Sequence, residues 1–542
     1  MGVNADIIFI NGNIITVDEH FSITQAVAVK DGLILEVGTN EAVEETAGSS
    51  TEIVDLKGKT MMPGIIDSHG HLGMEIKIAN WANLRLGFYD NNLSSIDAIL
   101  DKLCKHKETC NLSGSDYILG FGYHESRLIE KRFLNKFDLD QVSYTQPVIV
   151  ANISLHTFSF NSAALLKIGV DETTPDPDNS KIYRIEGSNE PTGVIQGPLA
   201  QELVFNLDIE KMEHKLEAYK KAEQTYFSAG ITTACEGKST VTDMEVLEVA
   251  ARAGSTVMDV VCFIDYTSID EALSRFMFKV GQRTKHVHVC GIKIISDGTM
   301  VNGALLSRPF ERTADDYGIE YVKSRKMEAA LRKAVRNNWQ FCVHAMGDAA
   351  IDKLMDVYEK VSAEEGSDPS QCRNIINHAM GLRPDQLDRV KSNNLIISFY
   401  PSATAYLFEV YCMTIGRDRA ERLNPMRSAM GKGILSTMHN DAPIVGPDPF
   451  IILWSAVNRV SVNGNYYGVD ECITVEEGLK ALTINGAIQH REEHIKGSIE
   501  KGKQADMLIL NENPLSLDPA DLNILRPLVT IKDGAMVYSA RY

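Results

Sequence analysis

Cysteine is sparse and unpatterned in this 542-residue chain. The nine lie at positions 104, 110, 235, 262, 290, 342, 372, 412 and 472, and no Cys-x-x-Cys pair occurs. An odd, scattered set argues against a disulfide framework, and the cysteines within apolar stretches read as small hydrophobes. Long apolar runs are also missing: none approaches the ~18 residues that span a bilayer, and residues 1–6 lack a basic leader region. Positive charge is short, with a formal net charge of −19 and no basic patch, so nucleic acid and anionic membrane surfaces would meet a repulsive field. Internal repeats are absent, and the one biased segment is the Pro/Asp-rich loop 174–179. A protein of the reducing cytoplasm is expected.

What is present is an ordinary globular composition, 44% hydrophobic and 23% charged, enough for a large core. The first 60 or so residues alternate short apolar runs with Asn-Gly and Asp-Gly turns, the punctuation of β-hairpins. The segments 505–510 and 528–538 repeat that style, so both chain ends are expected to build one composite β-sandwich from residues 1–62 and 492–542. Between them, apolar strands alternate with amphipathic helical stretches. Candidate strands are 64–67, 232–236, 260–264, 287–295, 340–343, 374–377, 395–398 and 434–438, the eight that a closed α/β barrel of the TIM type requires. The stretch between residues 67 and 232 is too long for one crossover and predicts an inserted, lid-like subdomain at about 75–220, with strands at 117–121 and 148–153. Thr474-Val475-Glu476-Glu477 is a capping box opening a helix that runs to about Asn485.

Three apolar runs end in histidine, at His69-Gly70-His71, His344 and His378, and Asp441 follows a fourth. Alternate strand residues point the same way, so His69 and His71 share a face and can chelate one ion. Each candidate sits at the C-terminal end of its strand, where barrel enzymes place their sites. Neutral imidazoles with a carboxylate suit a divalent ion of the zinc class, which makes hydroxide available at neutral pH. Lys293 is a lysine inside an apolar strand, costly unless neutralised or paired; carboxylation by carbon dioxide would make it an anionic ligand able to bridge two ions.

These motifs, with Pro63-Gly64 before the first histidine pair, Asp297-Gly298 after Lys293, His344-Ala345-Met346-Gly347-Asp348, His378-Ala379, Asp441-Ala442-Pro443 and the tail 496–506, resemble the amidohydrolase superfamily, in the YtcJ-like branch that includes N-substituted formamide deformylases. The resemblance covers nearly the whole chain. It implies a (β/α)8 barrel over 63–491 and one or two zinc-class ions held by His69, His71, His344, His378, Asp441 and, in carboxylated form, Lys293. It also places the insert, including Tyr123, His124 and His156, at the substrate pocket. Three departures concern the substrate. Met300-Val301-Asn302-Gly303-Ala304 stands where many relatives carry Gly-Ser-Arg, Tyr123-His124 where Trp-Asp is common, and His439-Asn440 where Gly-Ser is usual.

Plainer readings stand beside these. Lys293 could pair with Asp297 in a buried salt bridge, and Asp348 could be a helix cap instead of a support for the ligands. Asp67 orients a ligand or satisfies backbone groups. His439 is a substrate contact or a solvated loop histidine, His124 and His156 are pocket or surface residues, and Tyr123 and Tyr400 are pocket or core aromatics. The reading reached is a metal-dependent hydrolase of a small organic amide, formamide or cyclic amide. In it Asp441 relays the proton of the attacking water, and His344 or His378 helps stabilise the oxyanion. Deamination of an aminated heterocycle, or a metal-stabilised barrel without turnover, are the alternatives. A homodimer is expected from size alone. Protein purified without added metal should carry one to two equivalents of zinc, manganese or iron by inductively coupled plasma mass spectrometry, and a His69→Ala/His71→Ala variant should carry markedly less.

Overall fold

The computed structural model describes residues 4–85, 93–114, 116–177, 180–205, 212–369 and 372–540. Asp178 and Asn179 of the Pro/Asp-rich loop, and the stretches 86–92 and 206–211 of the predicted insert, lie outside the described residues. Eight parallel strands form one curled sheet: β1 (Ile65–Ile66), β2 (Ile231–Ser239), β3 (Asp259–Asp265), β4 (Val287–Ile295), β5 (Gln340–Ala345), β6 (Ile375–His378), β7 (Ile396–Phe399) and β8 (Ser436–Met438), paired in that order. All eight fall where the apolar runs put them. Curling brings the two ends together, since the Ser68 hydroxyl donates to the Met438 carbonyl at 2.9 Å and lies 2.9 Å from the Ser398 hydroxyl.

Inside the curl, Cys235, Val261, Phe263, Cys290, Cys342, Ile375 and Ile396 form one buried cluster contributed by β2 to β7. Three of the nine cysteines are therefore packing atoms of the sheet interior, and all nine are free thiols. Helices cover the outside because their apolar residues recur at helical spacing. In Ser324–Arg336 the buried residues are Met327, Ala330, Leu331 and Ala334, a single stripe. Thr474 and Glu477 make the expected reciprocal cap, and the helix Val475–Leu482 is followed by a second short one, Ile484–Gln489.

The chain ends supply a four-stranded sheet from residues 7–55 and a six-stranded sheet joining Asn13–Ile15, Ile23–Thr24 and Thr60–Pro63 to Met507–Leu510, Pro527–Lys532 and Ala535–Ser539. Phe9, Val27 and Val29 of the first sheet share a core with Met61, Met507, Ile509 and Ile531 of the second. The chain divides into two compact units, 1–73 with 220–542, and 74–219. The terminal sheets thus belong to the same compact unit as the curled sheet. The 74–219 unit has its own six-stranded sheet, including Ile118–Tyr123 and Val148–Asn152.

At the N-terminal edge of β3 a charge network is built around the buried Asp259, Lys496, Lys532 and Glu492. Asp259 pairs with Lys496, with Arg283, with Lys532 at 3.3 Å and with His286 at 2.9 Å; Glu492 meets Lys496 at 3.1 Å and Arg283 at 2.9 Å. Lys532 also pairs with Asp506 at 3.1 Å. Every cation here has at least two anions, so the C-terminal segment is tied to the base of the sheet by charges that have nowhere else to go. Removing one partner from such a group leaves an uncompensated buried charge. Asp259→Asn should therefore cost about 3–5 kcal/mol of stability, seen as a large fall in apparent melting temperature. Lys501→Ala, which breaks an exposed pair with Glu36, should cost less than about 1 kcal/mol.

Candidate metal centre

The polar residues of the barrel gather at the C-terminal edge of the sheet, the opposite end from Asp259. His69 and His71 follow β1, His344 lies on β5, His378 ends β6, and His439 and Asp441 follow β8. Donor atoms of His69, His71 and Asp441 all lie within 4.8 Å of one another. The Nε2 atoms of His69 and His71 are each 3.3 Å from Asp441 Oδ1. His378 and His439 close around His69, with ring centres 5.3 and 5.1 Å from it. His344 stands 4.5 Å from His378. Exposure is graded across the group: the His71, His344 and Asp441 side chains are 27%, 14% and 13% exposed, whereas that of His69 is 1% exposed.

The backbone is bent to make this convergence. His378 and Asp441 have φ of +70° and +56°, a left-handed conformation that costs a residue with a Cβ roughly 1–2 kcal/mol. Such strain collects at functional sites because surrounding structure must over-determine it. Gly237 makes room: a Cβ there would sit 2.3 Å from the His69 ring, so only glycine permits β2 to pass this close.

Burial sets the protonation states. Loss of solvent pushes His69 and His378 well below the ordinary imidazole value, His344 to about 4 and His439 to about 3. These rings are neutral at pH 7 and carry free lone pairs. Burial works to raise Asp441, but the His71 hydrogen bond and the charges around it prevail and hold it at about 2, an ionised carboxylate. His71 itself is raised: burial lowers it, and the Asp441 contact more than offsets that. Nδ1 of His69, Nδ1 of His378 and both nitrogens of His439 are buried without a hydrogen-bond partner. Unpaired buried polar atoms cost about 1–3 kcal/mol each. Neutral imidazoles with idle lone pairs around one carboxylate are the donor set of a zinc-class ion, and the residues present fit one.

Lys293 is fully buried beneath this group. Its Nζ lies 3.3 Å from His69 Nε2, donates to Asn377 Oδ1 and is 3.9 Å from the Cys342 sulfur. Burial lowers its pKa, favouring the neutral amine that carbon dioxide requires. The buried salt bridge to Asp297 does not form. Asp297 instead accepts from the Leu305, Met346 and Gly347 amides at 2.8 to 3.0 Å and lies 3.5 Å from His344 Nε2.

Other expectations are revised in the same way. Asp348 is not the helix cap, a position held by Gly347; it accepts from Ser307 and pairs with Arg383 at 2.8 Å. Asp67 takes the His69 amide at 3.3 Å, the backbone role. His439 is completely buried and is no solvated loop residue. Tyr123 is packed in the core of the 74–219 unit with its hydroxyl 3.3 Å from that of Ser159. In the same unit His124 accepts from the Ser126 amide at 3.1 Å and caps a short 3-10 turn, while His156 is exposed.

Sequence reasoning passed over Glu236 and Gly237. Glu236 is buried, reaches to 4.0 Å of His71 Nδ1, the nitrogen not facing Asp441, and accepts from the Gly73 amide. At that distance the contact is electrostatic and helps raise the His71 pKa. Its signal was its place as the last residue of a predicted strand.

The sequence profile of the amidohydrolase family matches residues 52–538. The chain is 30% identical to amidohydrolase YtcJ of Bacillus subtilis over 97% of its own length and 98% of the relative's. It is 27% identical to N-substituted formamide deformylase of Arthrobacter pascens, covering 98% of each. Its fold is similar to that of a metal-dependent hydrolase from Pyrococcus horikoshii, with a TM-score of 0.75 at 23% identity, covering 95% of this chain and 99% of that one. Ordered histidines at strand ends, the curled parallel sheet that carries them and a match over most of the length agree: this chain belongs to the amidohydrolase family.

Proposed function

We propose that the protein is a metal-dependent amidohydrolase that cleaves a non-peptide carbon–nitrogen bond in a small amide, formamide or cyclic amide. The observation that carries this reading is the convergence of His69, His71 and Asp441 donor atoms within 4.8 Å at the open side of the cluster. His344, His378 and carboxylated Lys293 complete the ligand set in this proposal. A bound ion of the zinc class would supply acidified water and polarise the substrate carbonyl.

The rest falls to the side chains. Asp441, ionised and partly exposed, accepts a proton from the attacking water and returns it to the departing nitrogen, so that amine leaves instead of amide anion. Glu236 adds a second carboxylate near His71 while this happens. His344, at 14% exposure more open than His378, or His378 itself, helps stabilise the developing oxyanion in this proposal. Met300-Val301-Asn302, in place of a Gly-Ser-Arg run, offers no cation for a carboxylate on the substrate, which favours uncharged amides. We extend the fold reading to a complete (β/α)8 barrel with a composite β-sandwich, and assign the inserted unit, through His124 and His156, a role in substrate binding. Nine free thiols suit a reducing cytoplasm.

The test is a screen of N-substituted formamides and cyclic amides with formate, carboxylate and amine as the products measured. Asp441→Asn should lower kcat by about 10²–10⁴-fold while circular dichroism is unchanged and most of the metal is kept; near-wild-type turnover would remove Asp441 from the reaction. Ammonia from an aminated heterocycle, with no amide cleaved, would favour deamination instead.

A further inference from the structure

His439 is the one imidazole of the cluster that the family resemblance does not account for, and its surroundings give it nothing to do as a packing residue. It is completely buried, and neither ring nitrogen makes a well-formed hydrogen bond, the Ser398 backbone offering only a weak one. A phenylalanine would stack on Tyr400 equally well, at the observed 4.8 Å and 26°, without two idle polar atoms. Nor does the loop need it: Asn440 alone anchors the turn, accepting from Ser402 at 2.7 Å and donating to the Gly446 and Asp448 carbonyls at 2.9 and 2.7 Å. The ring presents no surface to solvent.

The geometry points instead to the ion. The ring centres of His69, His378 and His439 form a nearly equilateral triangle with sides of 5.3, 5.1 and 5.0 Å. Zinc–nitrogen bonds of about 2.0–2.1 Å place imidazole centres about 3 Å from the metal, hence about 5 Å apart when they share one ion. The donor atoms already within 4.8 Å of one another are those of His69, His71 and Asp441; the His439 amide, bonded to the Phe399 carbonyl at 3.0 Å, holds its backbone beside them, and imidazole χ2 is soft enough to turn a nitrogen inward. We propose that His439 is an additional metal ligand, forming with His69 and His378 an inner, all-imidazole face of the centre, opposite the solvent-facing His71–Asp441 side. This rests on the metal-centre reading above but not on the identity of the substrate. Its consequence is an ion held by more neutral donors, hence less anionic charge per ligand, than a cage of two histidine pairs and a carboxylate.

The test reads metal and not turnover. Wild type, His439→Phe and His439→Cys are stripped, checked for folding by circular dichroism and melting temperature, and titrated with Zn2+ against a chromogenic chelator; the Co2+-loaded forms are compared by visible absorption. His439→Phe should bind zinc more weakly by more than about tenfold and change the Co2+ spectrum, and His439→Cys, which offers a thiolate, should recover affinity. Unchanged affinity and spectrum in His439→Phe would overturn the proposal. A crystal structure of the zinc-loaded wild type decides it even if the variants fail to fold: a His439 nitrogen at about 2.0–2.1 Å from zinc supports it, and a ring turned away from the ion overturns it. Wild type that binds no metal would sink the metal centre itself, an outcome separate from a wild type that binds tightly without His439.

Discussion

Five imidazoles and one carboxylate share the C-terminal edge of the sheet, and most of them are cut off from water. Their mutual repulsion when charged, and their lack of partners when neutral, is the constraint that the surrounding structure must satisfy. Burial resolves the first problem by removing protons from His69, His344, His378 and His439, while His71 is raised by its contact with ionised Asp441. The second problem has no solution within the protein, because several ring nitrogens stay unpaired. A polar cluster that the chain leaves unsatisfied is a cluster shaped for something the chain does not itself contain.

The other end of the sheet makes the contrast. Around Asp259 the buried charges are as dense, yet each has its counter-ions in lysine, arginine and histidine. That network closes on itself and ties the C-terminal segment to β3 and β4. One edge of the sheet spends its polar groups on internal pairing, and the opposite edge holds them available. The sheet interior between them is filled by cysteine, aliphatic and phenylalanine side chains packed in one buried cluster.

Rigidity matters because the site is assembled from positions far apart in sequence and held by backbone that is locally unfavourable. His378 and Asp441 keep left-handed conformations, and Gly237 admits His69 where any other residue would collide. Glu236 then sets a second carboxylate near His71. Ligation geometry is thus a property of at least four strand ends acting together.

The strands, the histidines and Asp441 were legible in the sequence because apolar runs of strand length and ligands at their ends are local patterns, set by side-chain alternation and turn chemistry. So was the capping box at Thr474, whose partners are three residues apart. Contacts across the fold were not legible. Lys293 found Asn377 and His69 in place of Asp297, because register beside β5 and β6 decides which side chains it meets. Asp348 turned to Ser307 and Arg383, and Tyr123 turned inward to a core. His439 reads in sequence as a loop residue; only curling of the sheet, which brings the end of β8 against His69 and His378, buries it among imidazoles. The sequence by itself determined which residues could ligate and on which strand ends they sit, since that follows from local periodicity. The tertiary structure decided which nitrogens and carboxylates face one another, because that depends on strand order, register and the closure of the sheet.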